Sequence, residues 1–567
     1  MALRTLTLFL MCLMLTTILH AAGSSALQDA PQRSASNMAS TYVPLESWVY
    51  PAFERLASEG YLQSALFDLR PWTRMDCARM VEEAEDNVDN EPTTSDAAAL
   101  LRSLEEEFNP ELRRHGGERN AEFHLESLYQ RVTVIAGRPL TDGYHFGETL
   151  VDDEGRLFAE GANLYSGASL RATAGPFAAY VKTEFQRVPS SPVPGEQTQQ
   201  AIAMDDFTPA ATEGPPSGFV RGRLLDANIS LAFFNNQLTF GRQSLWWGPA
   251  RSGSTLFSNN AEPITMLRYD RVRPFELPGF LKLLGPIRVE LLVGRLAGSQ
   301  YVHTAHVTFG TPGVALNNQP FIHGEKFSFK PTPNFEFGVS RTVLFGGKGA
   351  PVNISTFLRS VFSTGTGDEG NDPGDRRSAF DAQYRIPGLR KCLTGYVDGF
   401  TEDEPFPVVY PTESTWISGL VFRCVPRARH LTIRAEGLLS PHHDMAFPGY
   451  YYFNVHYLSG YTNNRQLIGS WIGREGDGEQ LWATWQLSPR SSVEISGRNM
   501  TAASEFLQGG TLRDLRVAAD LAIRRNWQLR LEEQTEWWRF PRLSSRPQRN
   551  AELTFQLTYR PIARMTP

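Results

Sequence analysis

Trp246 and Trp247 stand side by side in Gly241-Arg242-Gln243-Ser244-Leu245-Trp246-Trp247-Gly248-Pro249. The chain then runs through Ser252-Gly253-Ser254 to Leu256-Phe257-Ser258-Asn259-Asn260-Ala261-Glu262-Pro263. Indole faces stack on the C–H faces of sugar rings, and Arg242, Arg251, Asn259 and Asn260 carry donors suited to hydroxyls and carboxylates. The chemistry of such a set is recognition of a glycan rather than bond making. Paired tryptophans at a strand end serve equally as an interfacial aromatic girdle, and Asn-Asn near Pro suits a tight self-packed loop. Both readings stay open here. A second aromatic and amide-rich stretch, 441–479, holds Tyr450, Tyr451, Tyr452, Tyr461, Asn463, Asn464, Arg465, Trp471 and Arg474. Tyr461, Asn463 and Trp471 join the candidate glycan contacts from it, the alternative being a loop packed on itself.

Other charged groups point to plainer roles. Arg242, Arg251, Arg268, Arg271 and Arg273 have Glu262, Asp270 and Glu276 close in sequence as partners. Asp368 to Asp375 offers oxygen ligands but lacks the spaced loop and closing Glu of an EF-hand, so a solvated acidic turn is expected. His442, His443 and Asp444 invite a hydrolase reading, yet adjacent loop residues rarely share a site and no nucleophile motif accompanies them. No catalytic residue, metal or cofactor is expected.

The elements that must position these loops repeat with period two. In the last of them Ala551, Leu553, Phe555, Leu557 and Tyr559 share one face, and Asn550, Glu552, Thr554, Gln556 and Thr558 the other. Arg516, Asp520 and Arg524 likewise face away from Leu515, Val517, Ala519, Leu521 and Ile523. Residues 1–26 carry one positive charge, a short apolar run and small residues, the pattern of a cleavable export signal. No later stretch is apolar enough for a membrane helix, and only helices and closed barrels satisfy every backbone group in lipid. An exported chain with this many alternating strands is therefore expected to be an all-β, antiparallel transmembrane barrel over 118–560. Short turns alternate with long connections, one of them spanning 246–286, and give about eighteen strands with both ends in the periplasm. Residues 27–39 read as a mobile leader. Residues 40–117 change to helical period and read as a small periplasmic α-helical unit docked at the barrel base, with Pro71 and Pro110 at its joints and Asp96 as an N-cap. Cys392 and Cys424 fall at the same ends of neighbouring strands, where a disulfide or two buried thiols are both possible. The formal net charge of -6 is small for the length and argues against a nucleic-acid partner.

These motifs resemble the capsule-assembly Wzi family of bacterial outer-membrane proteins. The likeness rests on Gly241-Arg242-Gln243, on Trp246 to Pro249, on Ser252 to Ser254 and on Leu256 to Pro263. Gly460-Tyr461 with Ile468-Gly469, and Val43-Pro44-Leu45 with Arg55-Leu56, extend it. The chain departs from the family pattern in its tail beyond Tyr559 and in Ser470-Trp471, where His is expected after Gly469. The resemblance implies an eighteen-stranded barrel with a periplasmic helical portion, acting as a lectin that holds capsular polysaccharide at the cell surface. Outer-membrane lipid and periplasmic export machinery are the further partners expected of a monomer of this kind. A porin for small solutes is the competing reading, supported by lumen-facing charges such as Arg434, Glu436, Arg516 and Asp520.

Overall fold

The computed structural model describes residues 35–561 apart from 90–94, 211–213, 215–216, 304–311, 348–351, 363–373, 403–406 and 441–447. The export signal, the first part of the leader, the acidic run at 368–373 and His442, His443 and Asp444 lie outside the described residues.

Eighteen antiparallel strands, from Ala121–Ala136 to Gln548–Tyr559, close into one barrel. Closure comes from pairing the first with the last, Leu128 opposite Tyr559 through to Ala136 opposite Ala551. The period-two pattern sorts as a membrane barrel requires. Leu553 is 59% exposed and Phe555 45%, while Glu552 and Thr554 beside them are 1% exposed inside. Girdle aromatics mark the height of the apolar belt. Trp527 and Tyr559 touch at 5.0 Å between ring centroids at the end near the chain termini, and Trp537 points outward ten residues further along its strand. Ten residues at about 3.3 Å, tilted by about 40°, rise roughly 25 Å, the height of an outer-membrane apolar band.

One stretch departs from the sequence expectation. Residues 246–286 are not a single connection, because Ile264–Arg271 forms a barrel strand paired on both sides. Ile264, Met266, Arg268 and Asp270 face inward, with Leu267 exposed between them. Apolar residues therefore occur on both faces, and the alternation that marks the other strands is lost. The connection 272–286 then lies on the short-turn side.

The N-terminal unit has three helices: α1 (Val49–Glu59), α2 (Arg74–Asp89) and α3 (Ser95–His115). Phe53, Leu56, Phe67, Trp72, Val81, Leu104 and Phe108 form its core. Helix α3 runs through Pro110 instead of ending there, and Asp96 lies in its first turn, bonded to Arg55 rather than acting as a cap. The unit is not merely set against the base. Its segment 65–72 enters the barrel, where the Phe67 amide donates to Glu336 (3.0 Å), Asp68 faces Lys326 (3.5 Å) and Arg268 donates to the Pro71 carbonyl (3.3 Å). Further ion pairs ring the seat: Glu46 with Lys182, Asp76 with Arg288, Glu54 with Arg434. The end of the leader is fastened too. The Ala39 amide donates to the Gly175 carbonyl, and Asn235 donates to Ser36, so residues 36–39 are held at two short turns rather than loose. On the same side Cys392 and Cys424 form a disulfide, and Cys77 is buried.

Candidate functional site

The long connections fold into the barrel from the side opposite the helical unit and meet it inside. Trp246 and Trp247 form a two-residue strand paired antiparallel with Arg70 and Leu69. The Trp247 indole donates to Glu290 on the barrel wall (2.9 Å) and meets Phe257 edge-on at 4.8 Å. The turn that follows is pinned by Asp398, which accepts from the Ser254 hydroxyl (2.8 Å), the Thr255 hydroxyl (2.7 Å) and the Thr255 amide (3.2 Å). Gly248 is required at this turn: at φ 150° a Cβ would collide with both Asp398 and Ser254.

The late loop, 440–475, interlocks with the first. The Ser258 amide donates to the Ile468 carbonyl (3.0 Å) and its hydroxyl to the Gly469 carbonyl (2.8 Å). The Tyr452 hydroxyl donates to the Thr255 carbonyl (2.8 Å), so closely over Gly469 that no side chain fits there. The two stretches whose composition singled them out are thus one packed body, continuous through Leu69, Trp247, Phe257, Tyr452 and Tyr461 with the barrel wall.

This packing fixes the place of each candidate residue. Trp246 is buried, its indole donating to the Ala250 carbonyl (3.1 Å). Asn259 is buried, its carbonyl accepting from the Glu154 amide (2.8 Å). The Asn260 side chain accepts from the Asp152 amide (3.2 Å) and donates to the Leu467 carbonyl (3.3 Å). Tyr461 is fully buried, with Arg377 over its ring at 4.5 Å. The Asn463 amide bridges the Ala297 amide and the Glu262 carbonyl. Trp471 is buried beneath Arg498 at 4.9 Å. Arg242 keeps partial exposure and pairs with Glu262 (2.5 Å), which Arg223 also reaches (3.0 Å). Arg251 is the most open of the nine. It stacks on Trp482 at 5.2 Å and pairs with Glu494 (2.7 Å). Lumen-facing Arg516 and Arg530 share Glu532, and Arg530 also reaches Asp520.

The inward acceptors Asp398 and Glu290 were not visible from sequence, since each lies far along the chain from the loop group it binds, whereas the pairing of Arg242 with Glu262 was. Beside Arg465 of the late stretch, composition did not single out the rest of the outer rim, where Gln300, Asn317 and Asn318 are exposed. The pair Asn317-Asn318, within a long connection, was the available signal.

Three long connections meet in one ionic cluster. His145 lies 2.8 Å from Asp142 on its own loop and 2.8 Å from Asp206 on loop 189–218, and Arg474 reaches Asp206 as well. Burial alone would lower the imidazole pKa, but Asp142 and Asp206 raise it to about 10. A pKa raised above the ordinary 6.5 gives stabilisation that is complete below that value and is lost as pH climbs through about 10. Exchanging His145→Gln is therefore expected to free the helix Glu196–Asp205, seen as faster proteolysis within 189–218 at neutral pH. The wild type should gain that sensitivity only near pH 10, and equal cleavage of both proteins at pH 7 would contradict the bridge.

Residues 130–553 match the family described as Capsule assembly protein Wzi. A curated relative, the uncharacterized 55.8 kDa protein in the cps region of Klebsiella pneumoniae, is 27% identical over 179 residues. That match covers 31% of this chain, which spans about a third (32%) of that relative's length. A solved structure of Wzi from Escherichia coli, reported as an outer-membrane carbohydrate-binding β-barrel involved in group 1 capsule assembly, superposes with a TM-score of 0.66. It is 16% identical and covers 93% of this chain and 100% of its own. With three quarters of its length inside the family match, the chain belongs to the Wzi capsule-assembly family, as a bacterial outer-membrane β-barrel.

Proposed function

We propose that this protein anchors capsular or other extracellular polysaccharide at the cell surface, without covalent attachment and without transporting it. The observation that carries the reading is the meeting of Trp246–Trp247 with Leu69–Arg70 inside the barrel, which fills the lumen where a porin keeps it open. The carbohydrate-binding character reported for the Escherichia coli Wzi structure supports the same reading. The glycan is met by the outer rim, through Gln300, Asn317, Asn318 and Arg465, whose amides and guanidinium suit hydroxyls and carboxylates. Trp246, Trp247, Asn259, Asn260, Tyr461, Asn463 and Trp471 act one layer down by fixing loop shape, and Arg242 and Arg251 hold the partly open edge of that layer. Many shallow contacts of this kind give a retaining surface rather than a deep pocket.

Full-length protein in detergent should bind purified acidic capsular polysaccharide, and the combined variant Asn317→Ala, Asn318→Ala, Arg465→Ala should bind it at least tenfold more weakly, three polar contacts at about 0.5–1.5 kcal/mol each. Cells lacking the protein should shed polysaccharide into the medium while still making it. Unchanged binding by the rim variant would overturn the assignment of the rim.

A further inference from the structure

The arginines of the last four strands, beginning with Ser491–Ala502, divide by the face they occupy. Those turned into the lumen are matched: Arg498 with Asp514, Arg516 with Glu532, Arg530 with Asp520 and Glu532. Those turned outward at the far end are not. Arg513, Trp537 and Arg549 lie in one register row across the strands Gly510–Arg524, Trp527–Arg539 and Gln548–Tyr559. Arg539 and Arg546 stand just above the row, and all four arginines are exposed. Among the described residues no ion pair joins any of them to a carboxylate.

The row sits at a definite depth. It is ten residues from the Trp527–Tyr559 girdle on the strands carrying Trp537 and Arg549, the full height of the apolar belt. It therefore lies at the headgroup level of the outer leaflet, with Leu515, Ala551 and Leu553 continuing below it into the apolar region. At the bilayer midplane an outward arginine is strongly disfavoured; at this depth it costs little and attracts anionic headgroups. Two contacts hold the guanidiniums in place. Arg549 stacks over Trp537 at 5.5 Å, and Arg513 donates to the Asn499 side chain at 3.0 Å. The patch has edges as well. Along the row Asn499 is followed by Glu479, and below it the next outward acid is Glu533, which accepts from Thr535.

We propose that Arg513, Trp537, Arg549, Arg539 and Arg546 form a binding site for the phosphate groups of a phosphorylated glycolipid of the outer leaflet. Its acyl chains would run down the wall past Leu515 and Leu553. The charge complementarity is direct: four cations without acidic partners, backed by an aromatic, at the level where lipid phosphates lie. This site is separate from the loop rim and does not depend on the polysaccharide reading.

The test uses the full chain in dodecyl maltoside micelles, with diphosphoryl lipid A and its enzymatically dephosphorylated form as probes, and native mass spectrometry as readout. Wild type is expected to retain the diphosphoryl form at least tenfold better than the dephosphorylated one. Replacing Arg513→Gln with Arg549→Gln should abolish that preference, while Arg513→Lys with Arg549→Lys should keep most of it. Heat-modifiable gel mobility verifies that each variant is folded. If the glutamine pair fails to fold, Arg539→Gln with Arg546→Gln, above the membrane-facing row, should still reduce the preference severalfold. Equal retention of the two lipids by wild type would overturn the proposal. So would an undiminished preference in folded glutamine variants, or displacement of bound lipid A by acidic polysaccharide.

Discussion

Replacing Trp247→Ala is expected to detach loop 244–263 from the helical unit and expose its backbone to exchange. The indole is 1% exposed, fills the space against Gly324 and Phe257, and supplies a donor to Glu290. Truncating a buried tryptophan costs about 3–5 kcal/mol. Here the loss also strips Glu290 of one donor, leaving it with Arg268. Each 1.4 kcal/mol is tenfold in the opening equilibrium, so amide exchange within 244–263 should accelerate by roughly two to three orders of magnitude. Trp247→Phe keeps most of the volume but removes the N–H, and should cost about 1–3 kcal/mol for an unsatisfied buried acceptor. The ordering wild type, Phe, Ala is the checkable outcome. Exchange rates that do not change in Trp247→Ala would show that the two-residue strand is not what holds the loop.

The seat of the helical unit should weaken in acid, with Glu54 as the main cause. Burial by itself pushes the Glu54 carboxyl up, but Arg434 at 2.7 Å, Arg70 at 3.2 Å and Arg423 at 3.4 Å hold it down to about 2. Its ordinary value, 4.5, belongs to the undocked state. A carboxyl with a lowered folded pKa gives stabilisation that is complete above 4.5 and is lost as pH falls from there toward 2. The difference corresponds to roughly 3 kcal/mol for a group this buried. Replacing Glu54→Gln leaves three guanidiniums facing each other without their anion, and about 3–5 kcal/mol should go at neutral pH. Exchange protection of α1 measured between pH 7 and 3 separates the cases. Wild type should lose protection only below about pH 4.5, and the variant should start low and change less. A variant that matched wild type at pH 7 would remove Glu54 from the account.

The barrel was legible in the sequence because lipid and lumen impose opposite demands on alternate residues, and strands such as Gln548–Tyr559 obey both. It failed at Ile264–Arg271, where the plug inside the barrel lets Ile264 and Met266 face inward among apolar neighbours. The same plug explains the reading of the tryptophans. Composition shows that Trp246 and Trp247 seek a flat partner, but not whether that partner is a sugar or the protein. The surroundings of Trp247 come from Leu69, Glu290 and Phe257, and Trp246 pairs with Arg70, contacts that no local pattern encodes. Proline was also misleading in one place: Pro110 sits inside α3, whose packing through Leu104 and Phe108 outweighs a missing backbone bond.

Current through the purified full-length protein in a planar lipid bilayer tests the central claim most directly. With loops entering from one end of the barrel and the helical unit from the other, joined at Trp247 and Leu69, no stable conducting state should appear at neutral pH. Long-lived open steps of the size given by open barrels of equal strand number would contradict it.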